Sequence, residues 1–99
     1  MNVRSRKMYL EASIIVSQIR EMVRDRGFKA YEKSRCSQAL LTYCRALPDC
    51  IDYGANGIYT QMLYIDSNFK MRGDQAKLVR AKLKAFLEKY DYVGMSMEA

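Results

Sequence analysis

At 99 residues with 49% hydrophobic content, the chain has enough apolar matter for one compact core and no length for a second domain. Its net charge of +6, from 17 basic against 11 acidic side chains, suits nucleic acid, an acidic protein surface or anionic lipid. No histidine is present, so the commonest general base and metal ligand is missing; this excludes serine- and zinc-hydrolase chemistry and points to a non-enzymatic protein with no catalytic, metal or cofactor site.

The longest apolar run, Ile14-Ile15-Val16, is far short of the ~18 residues a membrane-crossing helix needs, so no membrane partner is expected. The basic N-terminal stretch is interrupted by Glu11, Ser13, Ser17 and Gln18, which leaves no signal-peptide core and makes the cytoplasm the expected location.

The first helix is expected over about 4–25. Met8, Ala12, Ile15, Ile19 and Met22 share one stripe, widened by Val16 and Val23, and Gly27 closes it. Leu10 and Ile14 lie one turn apart, opposite that stripe, with Tyr9 beside them. A helix that buries one stripe leaves this patch needing another cover: the tail, a second copy of the chain, or a protein partner.

The second helix is expected over about 30–46, with Cys36, Leu40, Cys44 and Leu47 on its apolar side and Pro48 as its stop. Three cysteines, an odd count, argue against a disulfide framework. Cys36 and Cys44 are about two turns, ~12 Å, apart on one helix, too far to bond each other. Reduced, buried thiols are expected there, and Cys50 is the candidate for exposure.

The stretch from Pro48 to Asn56, with two aspartates, a glycine and an asparagine, reads as a loop. A third helix is expected over about 56–69, capped by Asn56, with Ile58, Met62, Ile65 and Phe69 inward. Its aromatic and branched content could also suit a strand over Tyr59–Ile65, but the spacing of four and three favours helix. Asp49, Asp52 and Asp66 lack the dense oxygen ligands of a calcium loop and read as turn or cap residues.

Lys70 to Gly73 is a short connection, and Asp74 is expected to cap a fourth helix over about 75–90. Val79, Leu83, Phe86 and Tyr90 form its stripe. From Lys70 to Lys89 there are seven cations against Asp74 and Glu88, whereas Ala46 to Phe69 carries three aspartates and no cation. Arg72-Gly73-Asp74 reads as a helix end, a turn and a cap in preference to an adhesion motif. The tail, about 91–99, loses its period beyond Val93 and is expected to be loose. The whole is an all-α, compact four-helix domain, residues 1–99, with short connections and antiparallel neighbours.

The third helix, the turn at Met71-Arg72-Gly73 and the fourth helix resemble a helix-turn-helix unit over some twenty residues. Gly73 and Val79 agree with that pattern, while Phe69 and Lys82 depart from it. The resemblance implies Gln75, Lys77 and Leu78 at base edges, with Arg72 and Lys70 on phosphate. The basic side of the fourth helix, carrying Lys77, Arg80 and Lys84, is either a solvated face or a phosphate contact.

Eight tyrosines could stack on bases or serve a protein interface. Their proximity to the acidic middle favours a protein partner, with Tyr9, Leu10, Ile14, Tyr53, Tyr59 and Tyr64 as contact candidates. Seven methionines suit adaptable contacts as well as core filling. The reading that follows is a small binding or regulatory protein acting through protein contact, of the accessory or inhibitor kind carried by phages and mobile elements. The alternatives are a nucleic-acid binder, through Lys70, Arg72, Gln75, Lys77, Arg80 and Lys84, or a binder of a ribonucleoprotein. A homodimer is also open.

Overall fold

The computed structural model describes residues 3–26 and 35–93. Helix α1 spans Val3–Arg26, α2 Arg35–Ala46, α3 Gly54–Ser67 and α4 Asp74–Lys89, and no strand occurs among the described residues. All four apolar stripes face a single core. Met8, Ala12, Ile19 and Met22 of α1 are fully buried, as are Ile58, Met62 and Ile65 of α3 and Leu83 of α4. Leu40, Cys44 and Leu47 are buried as the spacing requires. Gly27, the expected end of α1, and the expected first turn of α2 lie outside the described residues, as does the side chain of Cys36.

Helix α1 packs against α2, α3 and α4, and α3 does the same, whereas α2 and α4 do not touch among the described residues. The helices therefore form a central α1–α3 pair with α2 on one flank and α4 on the other. Early residues of α1 meet late residues of α4: Lys89 and Tyr90 reach Glu11, and Arg4 lies over Tyr92. That pair therefore runs antiparallel.

Local chemistry corrects several boundaries. The stretch read as a loop after α2 is a 3-10 helix, Leu47–Tyr53, with Pro48 in its first turn. Proline lacks only a donor that a first turn would leave unpaired, so it can open a helix as readily as end one. This segment approaches α3 at Gly57, where a Cβ would lie 2.5 Å from Cβ of Tyr53 and 2.9 Å from the Cys50 carbonyl oxygen. Only glycine fits that contact without displacing backbone.

Helix α3 begins at Gly54, two residues before the expected cap; Asn56 is inside its first turn, and Tyr53 occupies the cap position with no side-chain bond. The helix ends at Ser67. The Asn68 amide donates to the Tyr64 and Ile65 carbonyls, and its Nδ2 donates to Tyr64 O at 2.8 Å. Phe69 falls beyond the helix yet stays buried. Gln61 Nε2 donates to Tyr43 O at 2.7 Å, tying α3 to α2.

Asp74 is the first residue of α4, not its cap. Gly73 takes that place at φ 110°, a backbone region open to glycine and costly for other residues. At the other end the expected fraying is overturned for residues 91–93, which form a further helical turn with Val93 buried. Residues 94–99 of the expected tail lie outside the described residues. No helix among the described residues is long and apolar enough to cross a membrane.

Candidate protein-contact site

The outer face of α1 carries the clearest unpartnered apolar surface. At 100° per residue, Val3, Leu10 and Ile14 fall within about 40° of one another, on the side opposite Met8, Ala12 and Ile19. Leu10 is 57% exposed and Ile14 61%, and Val3 is exposed too. Tyr9 is half-buried against the core, and its carbonyl accepts a hydrogen bond from Ser13 at 2.8 Å.

Beside this ridge, on the α4 flank, Glu11 accepts hydrogen bonds from Lys89 Nζ at 2.7 Å and Tyr90 Oη at 2.9 Å. Partial burial opposes ionisation of Glu11, but the bonds from Lys89 and Tyr90, with the charges of Lys89 and Lys7, outweigh it and hold the carboxyl below its usual range. The bond to Glu11 raises Lys89. Burial first, and then the Glu11 carboxylate, raise the Tyr90 phenol.

Two hollows adjoin the ridge. One, about 490 Å³, lies between α1 and α2 and is lined by Arg20, Arg24, Arg45, Ser17, Glu21 and Leu41, among others. The other, also about 490 Å³, lies between α1 and the end of α4, lined by Val3, Arg4, Lys7, Lys89, Tyr90 and Tyr92. The Arg4 guanidinium lies over the Tyr92 ring, 5.7 Å from its centroid.

The remaining aromatic candidates scatter. Tyr53 stands out from the 3-10 helix at 77% exposure, and Tyr64 is exposed and stacked on Tyr43, with ring centroids 5.3 Å apart. Tyr59 is only 8% exposed and belongs to the core, which corrects its place among contact candidates. Because α3 is central and meets three helices, it buries more than one stripe.

The basic candidates are also divided. Lys70, Arg72, Gln75 and Lys77 are exposed, as is Leu78. Arg80 and Lys84 do not simply face solvent. Arg80 is half-buried, donates to Met71 O at 2.7 Å and lies over the Phe69 ring at 5.1 Å. Lys84 pairs with Asp66 at 2.8 Å. The connection from α3 to α4 runs over six residues, 68–73, longer than the three or four typical of a helix-turn-helix turn.

Sequence reasoning missed the hollow-lining cations Arg4, Lys7, Arg20, Arg24 and Arg45. The available signal was the placement of Lys7, Ser17, Glu21 and Arg24 on the same side of α1 as Leu10 and Ile14. Among the described residues no three cysteine or carboxylate side chains gather as a metal site would require. Cys44 is buried, which pushes its thiol up to about 12, and half-buried Cys50 donates to Ala46 O at 3.4 Å. No family model matches this chain, and no curated protein or solved structure matches it.

Proposed function

We propose that this chain is a non-enzymatic binding module, of regulatory or accessory type, that acts by contacting another protein through the outer face of α1. One observation carries the reading: Leu10 and Ile14 stand more than half exposed, one turn apart, on the side of α1 opposite the core. Apolar side chains of this size on a helix already buried along its other side gain by removal from water, about 1.5–3 kcal/mol for each one fully buried.

A second copy of the chain is a poorer occupant. Antiparallel pairing of two α1 helices through Leu10 and Ile14 would set Arg4 of one opposite Arg20 of the other at both ends, with Glu21 as the one nearby acid. The test compares wild type with Leu10→Ser/Ile14→Ser in capture of proteins from the native host, with and without nuclease. A nuclease-resistant partner lost in the double variant, at unchanged melting temperature, supports the reading. Equal capture by both proteins removes it.

Nucleic-acid binding through α4 is the second reading, and it rests on exposed Lys70, Gln75, Lys77 and Lys82. With Arg80 and Lys84 committed to the fold, fewer phosphate contacts remain, so the slope of log affinity against log salt on duplex DNA should be no steeper than about −3. Absence of binding to duplex DNA and single-stranded RNA at low salt removes this reading.

A further inference from the structure

We infer that the partner of the α1 face is an acidic amphipathic helix, laid obliquely over Leu10 and Ile14 with carboxylates at both ends seated in the two basic hollows. This rests on the protein-contact reading and adds the chemistry of the partner.

The two hollows lie at opposite ends of α1 and on opposite flanks. Arg4 and Lys7 line one at the start of the helix on the α4 side, and Arg20 and Arg24 line the other near its end, where α2 contributes Arg45. A line joining them crosses the ridge at Leu10 and Ile14, which stand between. Helices cross one another obliquely when the side-chain ridges of one fill the grooves of the other. Between the hollow centres lie about sixteen residues of helix rise, ~24 Å, so a partner helix of four to five turns spans the site.

Among the described residues, the cations at these ends are little committed to acidic neighbours. Neither Arg20 nor Arg45 takes part in an ion pair among the described residues, and Arg24 meets only its exposed neighbour Asp25 at 3.9 Å. Glu21 offsets one charge of that hollow, leaving a balance of two positive charges. In the other hollow Lys89 is bound to Glu11, while Arg4 and Lys7 remain, with Arg4 braced on Tyr92. A cation–π contact leaves the donors of a guanidinium free to pair with a carboxylate in bidentate fashion.

The apolar centre distinguishes this surface from a nucleic-acid track. A phosphate backbone needs cations along its whole length and gains nothing from two exposed aliphatic side chains. A helix that is apolar in the middle and acidic at both ends matches ridge and hollows together.

The test uses fluorescence anisotropy with the full chain and three synthetic probes. The first is a labelled helical peptide of about twenty residues, with leucines one turn apart at its centre and glutamates in its first and last turns. The second replaces those glutamates by lysine, and the third is a 20-nucleotide single-stranded RNA. The glutamate peptide should bind, and its affinity should fall at least tenfold in Leu10→Glu/Ile14→Glu and in Arg20→Glu/Arg24→Glu/Arg45→Glu. The lysine peptide should bind the triple arginine variant more tightly than wild type, a reversal that a damaged fold would not produce. Arg→Gln substitutions at the same three exposed positions, with melting curves, supply the milder control.

No binding of the glutamate peptide, equal binding of both peptides to wild type, or RNA binding that needs the arginines but not Leu10 would overturn the inference. The two readings fail separately. If the native partner is lost with Leu10→Ser/Ile14→Ser but retained with all three arginines changed, α1 is the contact face and the partner is not acidic. If the partner survives Leu10→Ser/Ile14→Ser, the contact face itself is wrong.

Discussion

The outer faces of α1 and α4 look alike as strings of charge and differ as surfaces. On α4, Arg80 serves the Met71 carbonyl and the Phe69 ring, Lys84 serves Asp66, and Lys89 serves Glu11. On α1, Leu10 and Ile14 stand more than half exposed, and among the described residues Arg20 takes part in no ion pair. The denser cation content, five in sixteen residues of α4 against six in twenty-four of α1, therefore belongs to the helix that uses part of it to hold its neighbours. A charge count says what a face carries; the pairings say what it still offers.

That contrast can be broken by substitution, and the inner faces set the scale. Leu83→Ala in α4 and Met8→Ala in α1 should each cost about 2–5 kcal/mol, because both side chains are fully buried. Denaturant titration measures this, and a loss under 1 kcal/mol at either would mean that its stripe is not core. Gly57→Ala should cost about 1–3 kcal/mol through the clash with Tyr53 and the Cys50 carbonyl.

The outer faces should then diverge. Arg80→Ala should cost about 1–2 kcal/mol, from the lost hydrogen bond to Met71 and the lost contact with Phe69. Lys84→Ala, which breaks an exposed pair, should cost no more than about 1 kcal/mol. Leu10→Ser and Ile14→Ser on α1 should stay within about 0.5 kcal/mol, as surface changes do. Equal costs on the two faces would erase the distinction.

The Glu11 tie adds a pH signature. Glu11 ionises more readily in the folded chain, so its contribution is complete above the ordinary glutamate range and is lost as pH falls through its depressed value. Tyr90 and Lys89 are shifted upward; their contributions are complete below their ordinary values and are lost as pH rises through the raised ones. The melting temperature should form a plateau that declines on both sides, and Glu11→Gln should shrink both declines. Unchanged profiles in that variant would show that the tie contributes nothing in solution.

Much of the fold was legible because a 3.6-residue period is a local property. The stripes through Ile19, Leu40, Met62 and Leu83 could be read from spacing alone, and so could the exposure of Leu10 and Ile14. The 3-10 helix was hidden because Pro48, Asp49, Gly54 and Asn56 also carry the chemistry of loops, and a tighter helix lacks the usual period. Tyr59 was misread for a different reason. Its burial depends on α3 having neighbours on three sides, although the absence of any cation in α3 hinted at a central helix. The candidate site was half legible. Its apolar pair follows from helix phase, but the hollows require α2 and α4 to be placed beside α1, and the commitment of Lys84 and Lys89 depends on partners 18 and 78 residues away.

That last separation has a kinetic consequence. Bringing Glu11 to Lys89 and Tyr90 closes nearly the whole chain, at an entropy cost that local contacts between the 3-10 helix and α3 do not carry. The tie is therefore expected to form after the rate-limiting step and to work as a latch on the finished molecule. Glu11→Gln should accordingly speed unfolding and leave the refolding rate unchanged, so that in a stopped-flow chevron only the unfolding arm rises.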